Sequence, residues 1–397
     1  MTPLSAALKG EVPPDARSDP YAVVEQVIQL LDEGSFVSTY KHAVLLGLID
    51  VCTRQGLRAM PTSMVTTRQL AEAVIELYWP QTRHWADRQL RDGAAILRQN
   101  AGVRGDEADS NSIVGLIYRF RVAAAADGAV GAALPQVRLR APAAWRALIL
   151  KVEKILVEMP LPKLQRLGGK QLAWLYRLGF DDRDEGALSR SFTRYVRGQP
   201  GDFDNAIRLM PGVAEAFVRL APMLRGFIQS KWAAKVARLN EMEEARLSRF
   251  LFGAAREDLA SARAPLLSFQ GSKCFYCGGR LGLERAHVDH FLPWSRLPEN
   301  VLANLVVADD TCNSQKRDFL AHAPFLGQWR ARNEGGLLTA LAESLGWDLG
   351  AERTLGGARA LYASLPDGAR VWAGRDAFKV FDPADFEPFL GWEGGGK

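Results

Sequence analysis

Residues 274–277 read Cys-Phe-Tyr-Cys, residues 287–293 His-Val-Asp-His-Phe-Leu-Pro, and residues 312–318 Cys-Asn-Ser-Gln-Lys-Arg-Asp. Three of the chain's four cysteines and two of its five histidines lie in this one stretch. Two thiolates two residues apart in a tight turn can reach one tetrahedral ion, and Gly278-Gly279 supply the turn. The complementary half of such a knuckle is expected about 30 to 40 residues on, where Cys312 stands. Three residues before Cys312 comes Asp309 instead of a fourth cysteine, and a carboxylate oxygen is an acceptable zinc ligand. His287 is the rival fourth ligand.

Asp289-His290 carries the catalytic argument. A phosphodiester resists hydrolysis until a water is deprotonated and the developing negative charge is neutralised. A neutral imidazole can take the proton, and a divalent cation can stabilise the charge. Neighbours on a strand point in opposite directions, so a strand end or bend is needed for both to serve one site. Phe291-Leu292-Pro293 offers such a break. Asn313 directly follows Cys312, so a metal-held cysteine would fix the neighbouring amide in register. Lys316 lies one helical turn further on and is a candidate phosphate contact. Arg296 and Arg317 are further candidate nucleic-acid contacts. Arg317 and Asp318 are equally compatible with surface or helix-packing roles. Asn304, before Leu305-Val306-Val307, suits a loop tied by side-chain-to-backbone bonds.

Taken together, Cys-x-x-Cys, Asp-His, a middle Asn-Leu and Cys-Asn-x-x-Lys resemble the HNH endonuclease family, whose fold is the ββα-metal finger. The resemblance covers residues 270–320. It implies that Asp289 and Asn313 hold a catalytic Mg²⁺ or Mn²⁺ ion, that His290 is the general base, and that Asn304 is the family's central structural asparagine. It likewise assigns Cys274, Cys277 and Cys312 to a structural zinc ion. Asp309 is the departure, where the closest subgroup has a fourth cysteine. Ligand softness agrees with two separate ions, since thiolates select zinc whereas Asp and Asn oxygens suit Mg²⁺ or Mn²⁺.

The remaining chain frames this segment. A length of 397 residues favours more than one core. A hydrophobic content of 48% and a charged content of 24% are those of a globular protein. A net charge of +5 is compatible with nucleic acid without being diagnostic. No apolar run is long enough for a membrane span. Clustered cysteines suit a metal in a reducing cytoplasm better than disulfides. The expected fold class is mainly α, with a small ββα finger in the C-terminal third.

The organisation expected is a flexible stretch 1–19, a helical domain 20–135, a basic helical region 136–268, the nuclease finger 269–333 and a helical and short-strand extension 334–397. Apolar spacing predicts helices over 21–33, 38–55, 69–79 (capped by Thr66 or Thr67 and stopped by Pro80), 85–99, 210–240, 241–267, 320–332 and 337–345. A hairpin or strand is expected over 370–381. Residues 136–200 hold thirteen Lys and Arg against six Asp and Glu. Trp145, Trp174, Tyr176 and Tyr195 are interleaved there. Such a mix suits either a nucleic-acid surface or helix faces over an aromatic core. Residues 64–79 admit a helix-turn-helix reading, against a packed bundle helix.

The leading functional expectation is a metal-dependent DNA endonuclease nicking one strand per site. A zinc-stapled binding or assembly module without catalysis is the alternative, and RNA or modified DNA are alternative substrates. The resemblance makes a role in restriction or antiphage defence, with other subunits of such a system as partners, a further expectation. No oligomeric state follows from the sequence.

Overall fold

Thr66 accepts the Gln69 backbone N–H at 3.1 Å while the Gln69 side chain accepts the Thr66 N–H at 2.9 Å. This reciprocal cap starts the helix Thr67–Tyr78 as the sequence expects. A computed structural model describes residues 20–33, 37–55, 64–85, 94–103, 105–124, 134–167, 170–252 and 259–390. They are mainly helical and divide into two compact units. The first holds described residues up to 52, those within 60–131, and those within 141–253. The second holds described residues within 53–59, 132–140 and 254–397. The finger therefore shares its unit with the C-terminal segment.

In the first unit, five short strands escape the helical expectation. They are β1 (Met64–Thr66), β2 (Arg166–Leu167), β3 (Lys170–Gln171), β4 (Tyr176–Leu178) and β5 (Ala206–Leu209). Antiparallel β1-β5-β4 form one sheet, with Arg208 opposite both Met64 and Arg177. Strands this short give alternation no room to declare itself. Helix Thr67–Tyr78 buries Leu70, Ala71, Ala73, Val74, Ile75 and Tyr78. Thr67 donates to the fully buried Glu153 of helix Pro142–Glu158 at 2.7 Å. That helix is a packed bundle element, not an open recognition helix.

Several helices differ from the expected spans. Residues 94–99 are not helical, while 86–93 lie outside the described residues, as do 1–19 and the tail. Gln99 is instead the hub of a buried polar network, bonded to Thr39, Gln81 and Trp232 at 2.8–2.9 Å. The segment 210–240 is two helices, Val213–Arg219 and Ala221–Asn240. Residues 241–267 give Glu244–Phe252 and Ala260–Phe269, the latter running through Pro265. Trp145, Trp174 and Tyr176 are buried, and Tyr195 packs on Phe192 and Phe203. Trp145, Trp174 and Tyr176 thus belong to the core, and Tyr195 lies half-buried against it.

The second unit is built on the finger. Strands β6 (His287–His290) and β7 (Leu305–Ala308) pair antiparallel, His287 with Ala308 through His290 with Leu305, and helix Asp310–Lys316 follows. All four residues of β7 are buried, which fits its uninterrupted apolar sequence. Helix Ala323–Glu334 covers the finger, with Trp329 stacked on Phe291 at 4.9 Å and its indole N–H donated to Ala303 at 2.7 Å. Strands β8 (Arg370–Gly374) and β9 (Ala377–Val380) form the expected hairpin. The Trp372 backbone bonds to Leu320 and His322 at 2.9 and 2.8 Å, docking the hairpin beside the finger.

Candidate active site and metal centre

The knuckle closes through its own backbone. Gly278 N–H reaches the Cys274 carbonyl at 3.0 Å, and Cys274 N–H reaches the Gly279 carbonyl at 2.9 Å. Gly278 has φ +69°, and a Cβ there would meet nothing. The requirement is therefore conformational, not steric. Phe275 N–H donates to Val307 at 2.9 Å and fixes the knuckle to β7.

Asp309 then caps the helix that delivers Cys312, its Oδ1 accepting the Cys312 N–H at 2.9 Å. Its Oδ2 faces the Cys277 sulfur at 3.1 Å and the Arg375 guanidinium at 3.0 Å. One carboxylate oxygen ends the helix and the other belongs to the cluster. The ligand atoms of Cys274, Cys277, Asp309 and Cys312 all lie within 4.8 Å of one another. A tetrahedral ion with bonds of about 2.0–2.3 Å spans such a set. Three sulfurs and one oxygen suit a structural zinc ion.

The electrostatics of the cluster differ between its thiols and its carboxylate. Burial pushes the Cys274 and Cys312 thiols up. Burial also works against the Asp309 carboxylate. Hydrogen bonds from Cys312 N–H, Cys277, Cys274 and Arg375 together outweigh it and hold the group well below the usual carboxylate range. His287, the rival fourth ligand, is not in the cluster. Its exposed ring points toward Asp310, with Nε2 3.8 Å from that carboxylate.

Asp289 and His290, the pair expected to be catalytic, sit at the end of β6, where the chain bends at Phe291-Leu292. Asp289 Oδ2 accepts the Tyr276 hydroxyl at 2.6 Å and lies 3.1 Å from the Lys316 ammonium. Burial, and then the Asp289 charge, keep Tyr276 protonated far above the ordinary phenol value, so it acts as donor. Lys316 also donates to the His290 carbonyl at 2.8 Å and is fully buried. This corrects its expected role. A side chain without exposure cannot reach a substrate phosphate, and Lys316 instead pins Asp289 and His290 from behind.

His290 is buried, its Nε2 lies 2.8 Å from Asn300 Oδ1, and its ring packs 5.1 Å from Trp294. Asn304 is fully buried and bonds both the N–H and the carbonyl of Leu292 and the carbonyl of Glu299. Asn313 stands half-buried in the helix immediately after Cys312. Arg296 is half-buried and donates its Nε to the Asp318 carbonyl at 3.2 Å. Exposed Arg317 ends the helix at φ 46° and ψ −126°, a left-handed conformation that favours glycine.

Tyr276, Asn300 and Arg375 were not singled out from the sequence. Tyr276 lies inside the Cys-x-x-Cys turn and had a positional signal. Arg375 comes from a hairpin far downstream and had none.

Residues 274–322 match the family model described as HNH endonuclease. The segment is thus an HNH endonuclease domain, of a family of phosphodiester hydrolases whose partner is nucleic acid. No curated protein and no solved structure matches the chain. No helix among the described residues is long and apolar enough to cross a membrane.

Proposed function

We propose that the protein is a metal-dependent DNA endonuclease in which His290 is the general base and Asp289 and Asn313 hold a Mg²⁺ or Mn²⁺ ion. When bound, that ion neutralises charge on the phosphate and the leaving oxygen. The observation that carries the reading is the Lys316 ammonium, bonded at once to the Asp289 carboxylate and the His290 carbonyl. It fixes two adjacent residues whose side chains must serve one site.

The Asn300 side-chain oxygen, 2.8 Å from Nε2, holds the His290 ring in place for its part as base. Asn304 holds the bend that turns His290 out of the strand. Arg296 and Arg317 are the residues assigned to the DNA backbone. One finger carries one such site, so a single event nicks one strand. Duplex cutting needs a second site or a second event. The thiol cluster suits a reducing cytoplasm. A place among the subunits of a restriction or antiphage system accords with a nuclease finger attached to a large helical unit.

Cleavage of supercoiled plasmid with Mg²⁺ or Mn²⁺ tests this, comparing the full chain with His290→Ala. Nicked circles from the parent alone support the reading. Equal product from both, or none from the parent on duplex DNA, overturns it in favour of a binding module or another substrate.

A further inference from the structure

We infer that Tyr276 is a positioning residue that couples the cysteine knuckle to the catalytic carboxylate Asp289. The inference rests on the reading of Asp289 as a cation ligand. Tyr276 lies between Cys274 and Cys277, so its backbone moves only if the knuckle moves. Phe275 N–H, donated to Val307, ties the same turn to the strand that pairs with β6.

The tyrosine ring cannot swing away. It packs edge-on against Trp372 at 5.0 Å and Phe325 at 5.5 Å. Its hydroxyl is therefore delivered to one point, 2.6 Å from Asp289 Oδ2. A hydroxyl donated to a carboxylate at this distance is among the stronger protein hydrogen bonds.

The second donor to the same oxygen comes from the other half of the cluster. Lys316 stands one helical turn beyond Cys312, on the helix that Asp309 caps, and its ammonium lies 3.1 Å from Oδ2. Oδ2 is thus clamped by one residue from each cysteine-bearing segment. Oδ1 is the oxygen left for a cation, at an orientation set by the knuckle. Partners of this kind typically govern metal affinity by about 10–100-fold.

A merely structural role would need only the ring. Tyr276→Phe keeps the ring and removes the hydroxyl, so it separates the two. The measurement is Mn²⁺ affinity of the full chain without DNA, by electron paramagnetic resonance titration. Zinc content and melting temperature are followed in parallel, and the parent, Tyr276→Phe, Lys316→Met and Asp289→Ala are compared. The expected result is parental zinc content for Tyr276→Phe with Mn²⁺ affinity reduced about 10–100-fold. Its plasmid nicking should recover at saturating Mn²⁺. Parental affinity in Tyr276→Phe alongside weak binding by Asp289→Ala overturns the inference alone. Parental affinity in Asp289→Ala overturns the ligand assignment and the inference with it. If Tyr276→Phe loses zinc or folding, Lys316→Met decides: Mn²⁺ affinity changed in either direction supports the clamp on Oδ2, and unchanged affinity overturns it.

Discussion

Asn304 closes two hydrogen bonds on a single residue, its Oδ1 accepting the Leu292 N–H at 2.9 Å and its Nδ2 donating to the Leu292 carbonyl at 3.1 Å. A third bond runs to the Glu299 carbonyl at 3.3 Å. The bend after His290 is thereby held without help from solvent.

Asn304→Ala leaves those buried backbone groups unsatisfied, and should destabilise the second unit by about 2–4 kcal/mol. Urea unfolding followed by tryptophan fluorescence checks it, Trp329 and Trp372 being buried reporters in that unit. Asn304→Asp keeps the acceptor and loses both donations, so it should fall between.

Lys316→Met removes the only ammonium beside Asp289 among the ion pairs described for that carboxylate. Nicking should fall about 100-fold or more, in keeping with a lost charge-assisted contact. DNA affinity should not change, and the slope of log affinity against log salt should stay parental. A phosphate-contacting lysine would instead lower that slope by about one.

Asp309→Asn retains an oxygen for the Cys312 N–H while removing the charge that faces Cys277 and Arg375. Zinc affinity should drop by at least the roughly 10-fold that even outer partners command. Cys277→Ala should remove zinc altogether and lower the unfolding temperature of the second unit. Metal analysis with calorimetry gives both, and parental zinc content in Cys277→Ala would sink the cluster as a metal site.

Arg317 holds a backbone conformation that glycine adopts without cost. Arg317→Gly should raise stability by about 1 kcal/mol. If the side chain contacts DNA, the same change should weaken binding and reduce the salt slope by about one. Higher stability with unchanged DNA affinity would remove Arg317 from the interface.

Burial, reinforced by Lys235, Arg238 and Lys41, depresses His42 in the first unit from 6.5 to about 3. The unfolded imidazole takes a proton below its ordinary value, while the folded one refuses it until about pH 3. Unfolding therefore binds a proton across that interval, and stability falls as pH drops through it, by at most about 1.4 kcal/mol per pH unit. His42→Leu should flatten this slope whatever it does to stability at neutral pH, as measured by denaturant titrations between pH 7 and 4.

The finger was legible because its chemistry is local. Cys274, Cys277 and Cys312 announce themselves by spacing, and they come together with Asp309 in one cluster. The long helices 20–33 and 67–78 were legible from periodicity and from the Thr66 cap. The sheet β1-β5-β4 was not, because its strands are three or four residues long and β1 lies over a hundred positions from its partner, which leaves no local pattern. Lys316 was misread for a related reason. Sequence places it one turn from Cys312 but says nothing of Tyr276 and Asp289 closing around it. The aromatics of 136–200 were ambiguous because core and stacking surface share a composition, and only burial separates them.

Arg375 sits between β8 and β9 yet reaches Asp309 and the Cys277 sulfur, and Asp376 exchanges two bonds with Gln315. The segment that would transplant as a working cassette is consequently not the stretch from 269 to 333. A graft ending there would carry the cysteines and leave behind the arginine, the hairpin strand beside Ala321 and the indole against Tyr276. A transplantable piece would have to start before the helix Ala260–Phe269 and run past the helix Pro383–Leu390, and even that leaves behind the described residues within 53–59 and 132–140 that complete its unit.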